Sequence, residues 1–238
     1  MDVTGGEPTM YKHICEVVAY ALSKNVKTCI ITNGIVPSHK AEKLISAGID
    51  EFLVSRHGLE DTHDFTTNCR GAYRKQLNFL HVLDMNEIPI RFNCVINHFN
   101  QHDIYEIAKE LVQHKPRIVN FINMNPHHEW QDKNLETKKV AADLNVVEPL
   151  LTKAIKLLED CGIGVNVRYY PMCRIAEEYR RCICNDLHVV FDPYEWDYNI
   201  EPKTVQAFNN WGKRTSSNVE CKNGSCKDWS ERYPIVTN

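Results

Sequence analysis

A short turn near the start of the chain combines residue types that suit ligand binding. Gly5 and Gly6 lack a Cβ, so their backbone can approach a bound molecule closely. Glu7 adds a negative charge, and Pro8 fits the first turn of a helix, where its missing N–H costs nothing. The segment Gly5-Gly6-Glu7-Pro8 is therefore predicted to be a ligand-facing strand-to-helix turn with almost no strand in front of it.

Polar side chains recur where the later strands are predicted to end. Taken alone, each such residue could serve only in a loop hydrogen bond. Their repetition favours a shared binding edge, because ligands collect at the carboxyl ends of parallel strands. The residues are Thr32 and Asn33, Ser55 and His57, Asn97, and Asn123 and Asn125.

The elements that position these residues follow from hydrophobic periodicity, which alternates between helix and strand over the first two thirds of the chain. This alternation predicts an α/β fold with parallel strands and right-handed crossovers. After about residue 171 the alternation stops, and a small irregular, cysteine-rich extension is predicted over 171–238. The predicted strands are 27–34, 51–58, 88–97, 117–123 and 164–170, and the predicted helices are 14–22, 38–48, 69–85, 103–112 and 147–158.

Bulk properties narrow the choice of partners and compartment. The formal net charge of -3 gives no strong attraction to nucleic acid or to an anionic membrane. No apolar run approaches the roughly 18 residues of a membrane span. The first 20 residues do not have the pattern of a secretory signal. A cytoplasmic protein without membrane or nucleic-acid partners is therefore predicted.

Four motifs in order give the chain a resemblance to a known family. Gly5-Gly6-Glu7-Pro8 is the first, and Thr32-Asn33-Gly34 is the second. The third is Ser55-Arg56-His57-Gly58 with His63-Asp64, and the fourth is Arg91-Phe92-Asn93-Cys94-Val95 with Asn100. Over roughly residues 1–170 the set resembles the radical S-adenosylmethionine (SAM) enzymes.

The resemblance implies a partial (β/α)6 barrel over 1–170, followed by the extension over 171–238. In this family a C-x3-C-x2-C loop upstream of the glycine turn holds an activating [4Fe-4S] cluster. That motif does not occur in the 238 residues. The chain is therefore expected to be truncated at its N-terminus and to lack its first βα unit.

The resemblance also assigns roles to individual residues. Backbone carbonyls of the Gly5, Gly6, Glu7 and Pro8 turn are expected to receive the SAM ammonium group, with Glu7 as its negative partner. His57 is expected to line the pocket or to face substrate, with a satisfied strand-end histidine as the alternative. Asn33, Ser55 and Asn93 are candidates for ribose and carboxylate contacts, and Asn123 for the adenine.

The implied activity is reduction of SAM by the cluster, fed by an external electron donor. The resulting 5′-deoxyadenosyl radical would abstract hydrogen from a peptide or small metabolite. This chain alone is expected to be inactive and to need its missing N-terminal segment or a partner chain. One alternative is a non-catalytic binding or partner protein that has lost the cluster. Another is a (β/α)-barrel enzyme of unrelated chemistry.

The ten cysteines fall into two groups. Five isolated ones are predicted to be small buried hydrophobic residues. The other five crowd the last third, where metal ligands or free thiols are expected rather than disulfides. An auxiliary [4Fe-4S] cluster, a zinc site and unligated thiols remain open for them. The isolated cysteines are Cys15, Cys29, Cys69, Cys94 and Cys161, and the metal candidates are Cys173, Cys182, Cys184, Cys221 and Cys226.

Overall fold

A six-stranded parallel sheet organises the protein, whose computed structural model describes residues 1–124 and 140–183. The strands lie side by side in chain order, and within the described residues β1 and β6 form the two edges of an open sheet. The predicted α/β class and partial-barrel architecture are confirmed. The strands are β1 Asp2–Val3, β2 Cys29–Thr32, β3 Glu51–Ser55, β4 Ile90–Ile96, β5 Ile118–Asn123 and β6 Gly164–Arg168.

All five predicted strands are present, although each is shorter than predicted. The two-residue β1 pairs with the start of β2, as expected for a glycine turn that has almost no strand in front of it. The predicted strand ends include the polar residues that follow each strand, because hydrophobicity alone does not mark the last ladder bond.

Within residues 1–124 and 140–183, six α-helices connect the strands, and the sequence pattern does not predict one of them. The seven residues of α3, Glu60–Thr66, have no apolar residues at helical spacing, so the pattern gives no signal there. The predicted helix over 69–85 begins later, at Ala72. The helices are α1 Ile14–Ser23, α2 Ser38–Ser46, α3 Glu60–Thr66, α4 Ala72–Met85, α5 Ile104–Val112 and α6 Leu144–Asp160, and 3-10 turns cover Pro8–Met10, Met172–Arg174 and Glu177–Cys182.

The two faces of the sheet differ, as β4 shows most clearly. Its alternate residues Phe92 and Cys94 are fully buried and belong to the core beneath the helices. Arg91, Asn93 and Val95 lie on the opposite face and are partly exposed. We call the first the outer face and the second the inner face.

The amino end of the inner face carries a compact charge network. Glu51, which is 9% exposed, accepts from Arg91 at 2.8 Å and from Arg117 at 3.0 Å. Arg91 also donates to the Cys29 thiol sulfur at 3.3 Å. One carboxylate thus holds two guanidinium groups at the end of the sheet opposite to the predicted binding edge.

The isolated cysteines follow the burial prediction only in part. Cys29 and Cys94 are buried, as predicted, whereas Cys15 and Cys69 are half-buried. The prediction is wrong for Cys161, which is exposed at the end of α6.

The described start of the C-terminal extension packs on the sheet. Ile175 and Cys182 join the same hydrophobic core as the barrel residues. Ile183 forms a parallel bridge with Val167 of β6, so the chain returns to the open edge of the sheet there. Within residues 1–124 and 140–183, no helix combines the length and hydropathy that a membrane span needs.

Packing of α4 on β3 is centred on two phenylalanines. Phe52 and Phe79 are both fully buried, and their rings pack edge to face with 5.2 Å between the ring centroids. Phe79→Ala is expected to lower the free energy of unfolding by about 3–5 kcal/mol because it leaves a cavity. Phe79→Leu, which refills most of that volume, should cost clearly less. Urea denaturation measures both, and equal losses would contradict this packing.

Candidate functional site

The glycine turn leaves its backbone open at the carboxyl end of β1. Gly5 has φ +99° and Gly6 has φ +51°, conformations that L side chains rarely adopt. A Cβ at either position would meet nothing within 4 Å. Conformation, rather than crowding by the protein, therefore demands glycine, and the space over the turn is free for a ligand.

Glu7 ties this turn to the end of β2. Its Oε1 accepts from the Thr9 backbone N–H at 3.1 Å and from the hydroxyls of Thr9 at 2.6 Å and Thr32 at 2.8 Å. Its Oε2 accepts only the Asn33 N–H, at 2.8 Å. The carboxylate thus caps the 3-10 turn over Pro8–Met10. A ligand ammonium would have Oε2 to approach.

A buried glutamine from α4, which the sequence analysis missed, joins the ends of β2 and β3. The Gln76 side chain is fully buried, and its Nε2 donates to Asn33 O at 2.7 Å and to Ser55 O at 2.8 Å. A Cβ on Gly34 would lie 2.7 Å from Gln76 Cγ, so glycine there makes room for the clamp. Asn33 Oδ1 accepts the Ile35 N–H and shapes the same turn.

His57 and Asn100 join the ends of β3 and β4. Asn100, which is fully buried, donates through Nδ2 to His57 O at 3.0 Å and to Val95 O at 2.7 Å. His57 Nδ1 accepts the Val95 N–H at 3.2 Å. The half-buried His57 ring is therefore fixed in one orientation at the binding edge.

Both histidines of the third motif are neutral. Burial lowers the pKa of His57 to about 4. His63 is fully buried, and desolvation, together with the nearby Arg56 charge, lowers its pKa to about 3. His63 Nδ1 accepts the His57 N–H at 3.1 Å. Because Nδ1 of each ring is an acceptor, the hydrogen of each lies on Nε2.

Three asparagines form a row across β4, β5 and β6 on the inner face. Asn120 Nδ2 donates to Asn93 Oδ1 at 2.8 Å, and Asn166 Nδ2 donates to Asn120 Oδ1 at 3.0 Å. The strand register aligns all three with Ser55 of β3. Of these, Ser55 and Asn93 were predicted site residues, whereas Asn120 and Asn166 were missed. A lone asparagine amid apolar strand residues was the available signal.

The predicted adenine contact, Asn123, does not share a face with the asparagine row. Asn123 ends β5 in register with Ile96, which is buried on the outer face. Strand alternation therefore sets Asn123 on the face opposite to Asn120. Its neighbour Asn125, also a predicted strand-end residue, lies outside the described residues.

The structure describes two of the five predicted metal ligands, Cys173 and Cys182. Cys184, Cys221 and Cys226 lie outside the described residues. Cys173 is half-buried, and the buried Cys182 thiol donates to Glu159 Oε1 at 3.4 Å. Among the side chains that the structure describes, no group of three or more His, Cys, Asp or Glu is placed to hold a metal ion.

A buried ion pair supports the same strand end from the outer face. Arg56 lies between Ser55 and His57 in sequence and is 1% exposed. It donates to Glu110 Oε1 at 2.8 Å and lies over the Tyr73 ring. Tyr73 donates to the other Glu110 oxygen at 2.8 Å. This pair fixes the strand that presents Ser55 and His57 to the inner face.

The chain is similar to known proteins in sequence and in fold. A model of the radical SAM superfamily matches residues 2–111. Fe-coproporphyrin III synthase of Methanosarcina barkeri is 33% identical over 147 residues, which make up 59% of this chain and 37% of that protein. The mitochondrial GTP 3′,8-cyclase of Arabidopsis thaliana is 30% identical over 165 residues, 66% of this chain and 41% of that protein.

Solved structures share the fold at lower sequence identity. SuiB of Streptococcus suis, bound to its precursor peptide SuiA, has a TM-score of 0.57 at 18% identity and covers 70% of this chain and 37% of its own. A domain of the pyruvate-formate lyase-activating enzyme of Bacteroides vulgatus has a TM-score of 0.54 at 14% identity, covering 70% of this chain and 97% of its own.

The family match, which contains the glycine turn and the strand-end motifs, assigns residues 2–111 to the radical SAM superfamily. Members of this superfamily use SAM and a [4Fe-4S] cluster. The open glycine turn and the neighbouring row of neutral hydrogen-bonding side chains fit SAM. The described residues do not fit the cluster, because they include no group of metal ligands.

The neutral histidines make the stability of the protein depend on pH. The unfolded-state pKa of His63 is 6.5 and its folded-state pKa is about 3, so protons bind the unfolded state first as pH falls below 6.5. The free energy of unfolding is expected to drop by about 2 kcal/mol between pH 7 and pH 5 from His63 alone. Urea titrations at several pH values measure this.

His63→Asn keeps an acceptor near the His57 N–H but removes the titrating ring. That variant should show a shallower loss of stability toward pH 5. The exposed His39 on α2 offers the matched control, His39→Asn, which should follow the wild-type curve. Wild-type stability that stays flat from pH 7 to pH 5 would contradict a neutral buried His63.

Gln76→Leu tests the clamp between β2 and β3. The substitution leaves two strand-end carbonyls without their donor, and each such loss costs about 1–3 kcal/mol. We expect SAM affinity to fall together with stability, because Asn33 and Ser55 lose their fixed spacing. Calorimetric titration with SAM and thermal melts measure the two effects. Gln113→Leu, on an exposed residue, should change neither. Unchanged SAM affinity in Gln76→Leu would show that this clamp does not contribute to SAM binding.

Proposed function

We propose that the chain forms the SAM-binding part of a radical SAM enzyme that abstracts hydrogen from a peptide or small metabolite. The proposal rests on one juxtaposition. The open Gly5-Gly6 turn follows the carboxyl end of β1, and the aligned row from Ser55 to Asn166 crosses the inner face starting from the carboxyl end of β3. A zwitterionic, ribose-bearing ligand needs both an exposed backbone and neutral donors and acceptors at that spacing.

Each end of SAM finds suitable groups in this arrangement. Carbonyls of the Gly5, Gly6 and Pro8 turn receive the ammonium group, and Glu7 Oε2 supplies negative charge beside it. Asn33, Ser55 and Asn93 serve the ribose and the carboxylate. His57 contributes a neutral Nε2–H donor to the pocket wall, which stays uncharged at neutral pH because of its lowered pKa. Asn123 remains the proposed adenine contact through its backbone at the end of β5, because its side chain lies on the face opposite to Asn120.

SAM held by the glycine turn and its neighbours, together with a cluster held by other ligands, would supply the radical chemistry for hydrogen abstraction, with electrons from an external donor. The chain spans less than half the length of the curated relatives it matches, namely 37%, 41% and 49% for three of them. The C-x3-C-x2-C motif does not occur in this chain, and we propose that the activating cluster takes its ligands from a further segment or a partner chain. The residues of this chain bind and orient SAM and keep its surroundings uncharged.

Two substrate classes, peptides and small molecules, have support among the similar proteins. PqqA peptide cyclase of Bradyrhizobium diazoefficiens, 22% identical over 213 residues, and SuiB with its bound precursor peptide support the former. The names of Fe-coproporphyrin III synthase and GTP 3′,8-cyclase point to small molecules. These relatives bear the names of enzymes, which favours an enzyme over the non-catalytic binding protein.

An auxiliary cluster on the extension also remains a proposal. Cys173, Cys182, Cys184, Cys221 and Cys226 would supply its thiolates, and Cys182 lies beside β6 through the neighbouring Ile183 bridge. The division into a barrel over 1–170 and an extension over 171–238 has the same standing.

Gly6→Ala tests the SAM site against a matched glycine. Gly6 and Gly162 both have positive φ, +51° and +75°, and a Cβ at either would meet nothing within 4 Å. Alanine at either position should therefore cost similar stability, about 1–2 kcal/mol. Only Gly6→Ala should raise the Kd for SAM, by about tenfold or more, because its Cβ enters ligand space. Calorimetric titration of SAM into each variant decides. Equal affinity losses in both variants, or no SAM binding by the wild-type chain, would overturn the proposal.

A further inference from the structure

The inner face is almost uncharged above its amino end. The inward network of charges there is Glu51 with Arg91 and Arg117, in which one carboxylate bridges two guanidinium groups. Toward the carboxyl end, the side chains that the described strands set on this face are apolar or neutral, up to the last residue of β6. These are Ile31, Leu53, Ser55, Asn93, Val95, Ile118, Asn120, Ile122 and Asn166, followed by Arg168.

Arg168 is placed on this face by its neighbours in β6. Val165 and Val167 are buried in the core on the outer face. Asn166 bonds to Asn120 across the inner face. Alternation then returns Arg168 to the inner side, where it is exposed and in register with Ile122.

No described carboxylate neutralises this guanidinium. Most other arginines of the described chain form ion pairs, including Arg56 with Glu110, Arg91 with Glu51 and Arg181 with Glu159, whereas the exposed Arg70 lies away from the sheet in the turn between α3 and α4. Arg168 forms none with the described residues, although it lies at the carboxyl end of β6. An unpaired arginine among neutral hydrogen-bonding groups is an attractive site for an anion, since the fork of its N–H donors matches two oxygens at once.

The position of Arg168 separates it from the groups proposed for SAM. β6 lies three strand intervals from β3, roughly 14 Å along the sheet. The glycine turn, Asn33 and Ser55 belong to β1, β2 and β3. An anion at Arg168 is thus beside the SAM position, on the side of the pocket that remains for substrate.

We infer that Arg168 binds an anionic group of the substrate, a carboxylate or a phosphate. This inference rests on the proposed function and narrows its substrate class to anionic peptides or metabolites. A bidentate contact at Arg168 would anchor the substrate at the β6 edge while the rest of it reaches toward SAM.

The test is calorimetric titration of the full chain with two probes, inorganic pyrophosphate and succinate, each with and without SAM. Arg168→Gln should weaken binding of the preferred probe by about tenfold. Arg168→Lys, which keeps the charge but not the fork, should weaken it less. Arg70→Gln is the charge-matched control, because Arg70 is an exposed arginine in the turn between α3 and α4. It should bind the probes like the wild type.

The preferred probe distinguishes a phosphate-bearing from a carboxylate-bearing substrate. Equal affinities in wild type and Arg168→Gln, or no probe binding by the wild type, would overturn the inference. So would a loss of SAM affinity in Arg168→Gln without a matching loss for 5′-methylthioadenosine, since Arg168 would then serve the carboxylate of SAM. Failure of the wild type to bind SAM would instead count against the proposed function, and the anion titrations would still decide Arg168.

Discussion

The six strands are held at fixed spacing by polar side chains, and the candidate site depends on this. One side chain bridges each neighbouring pair of strands, at the strand ends from β1 to β4 and within the ladders from β4 to β6. Glu7 joins β1 to β2, Gln76 joins β2 to β3, Asn100 joins β3 to β4, Asn120 joins β4 to β5, and Asn166 joins β5 to β6. Parallel strands of only two to seven residues would otherwise splay where their ladder bonds end.

Side-chain amides suit this role because a single NH2 group can donate to two acceptors. Gln76 donates in that way through Nε2, and Asn100 donates through Nδ2, each to carbonyls from two adjacent strand ends. Both side chains are fully buried, where an unpaired amide would be costly. The cost of leaving these donors unpaired locks the clamps, so the site residues between them are fixed before any ligand arrives.

Glu7 illustrates how a motif residue can serve structure and ligand together. Its charge at the start of the 3-10 turn was predicted as a partner for the SAM ammonium group. Three donors converge on Oε1 and one on Oε2, so most of its capacity goes to the protein. A carboxylate fixed by four donors keeps its negative charge in a known place, which is what a bound ammonium requires.

Sequence reasoning recovered the order of strands and helices because apolar periodicity reports burial directly. Its motifs selected Asn33, Ser55 and Asn93 as ligand contacts, and the structure places these residues after a strand end, at a strand end and on the inner face, respectively. It could not find Asn120 or Asn166, since their importance comes from the register between strands, which no local pattern encodes. Gln76 was missed because it lies on the buried side of α4, a position that periodicity assigns to apolar residues. Helix α3 was missed because a single buried histidine, rather than an apolar stripe, anchors it.

The serial arrangement of the five clamps has a geometric consequence. Each clamp joins a strand only to its neighbour, so any small displacements that the clamps allow add from one side of the sheet to the other. Groups one clamp apart, such as Asn93 and Asn120, keep their separation most tightly. The glycine turn on β1 and Arg168 on β6, five clamps apart, keep theirs least. A pocket built in this way fixes the distances between neighbouring strands and lets the distance across its full width adjust to a ligand.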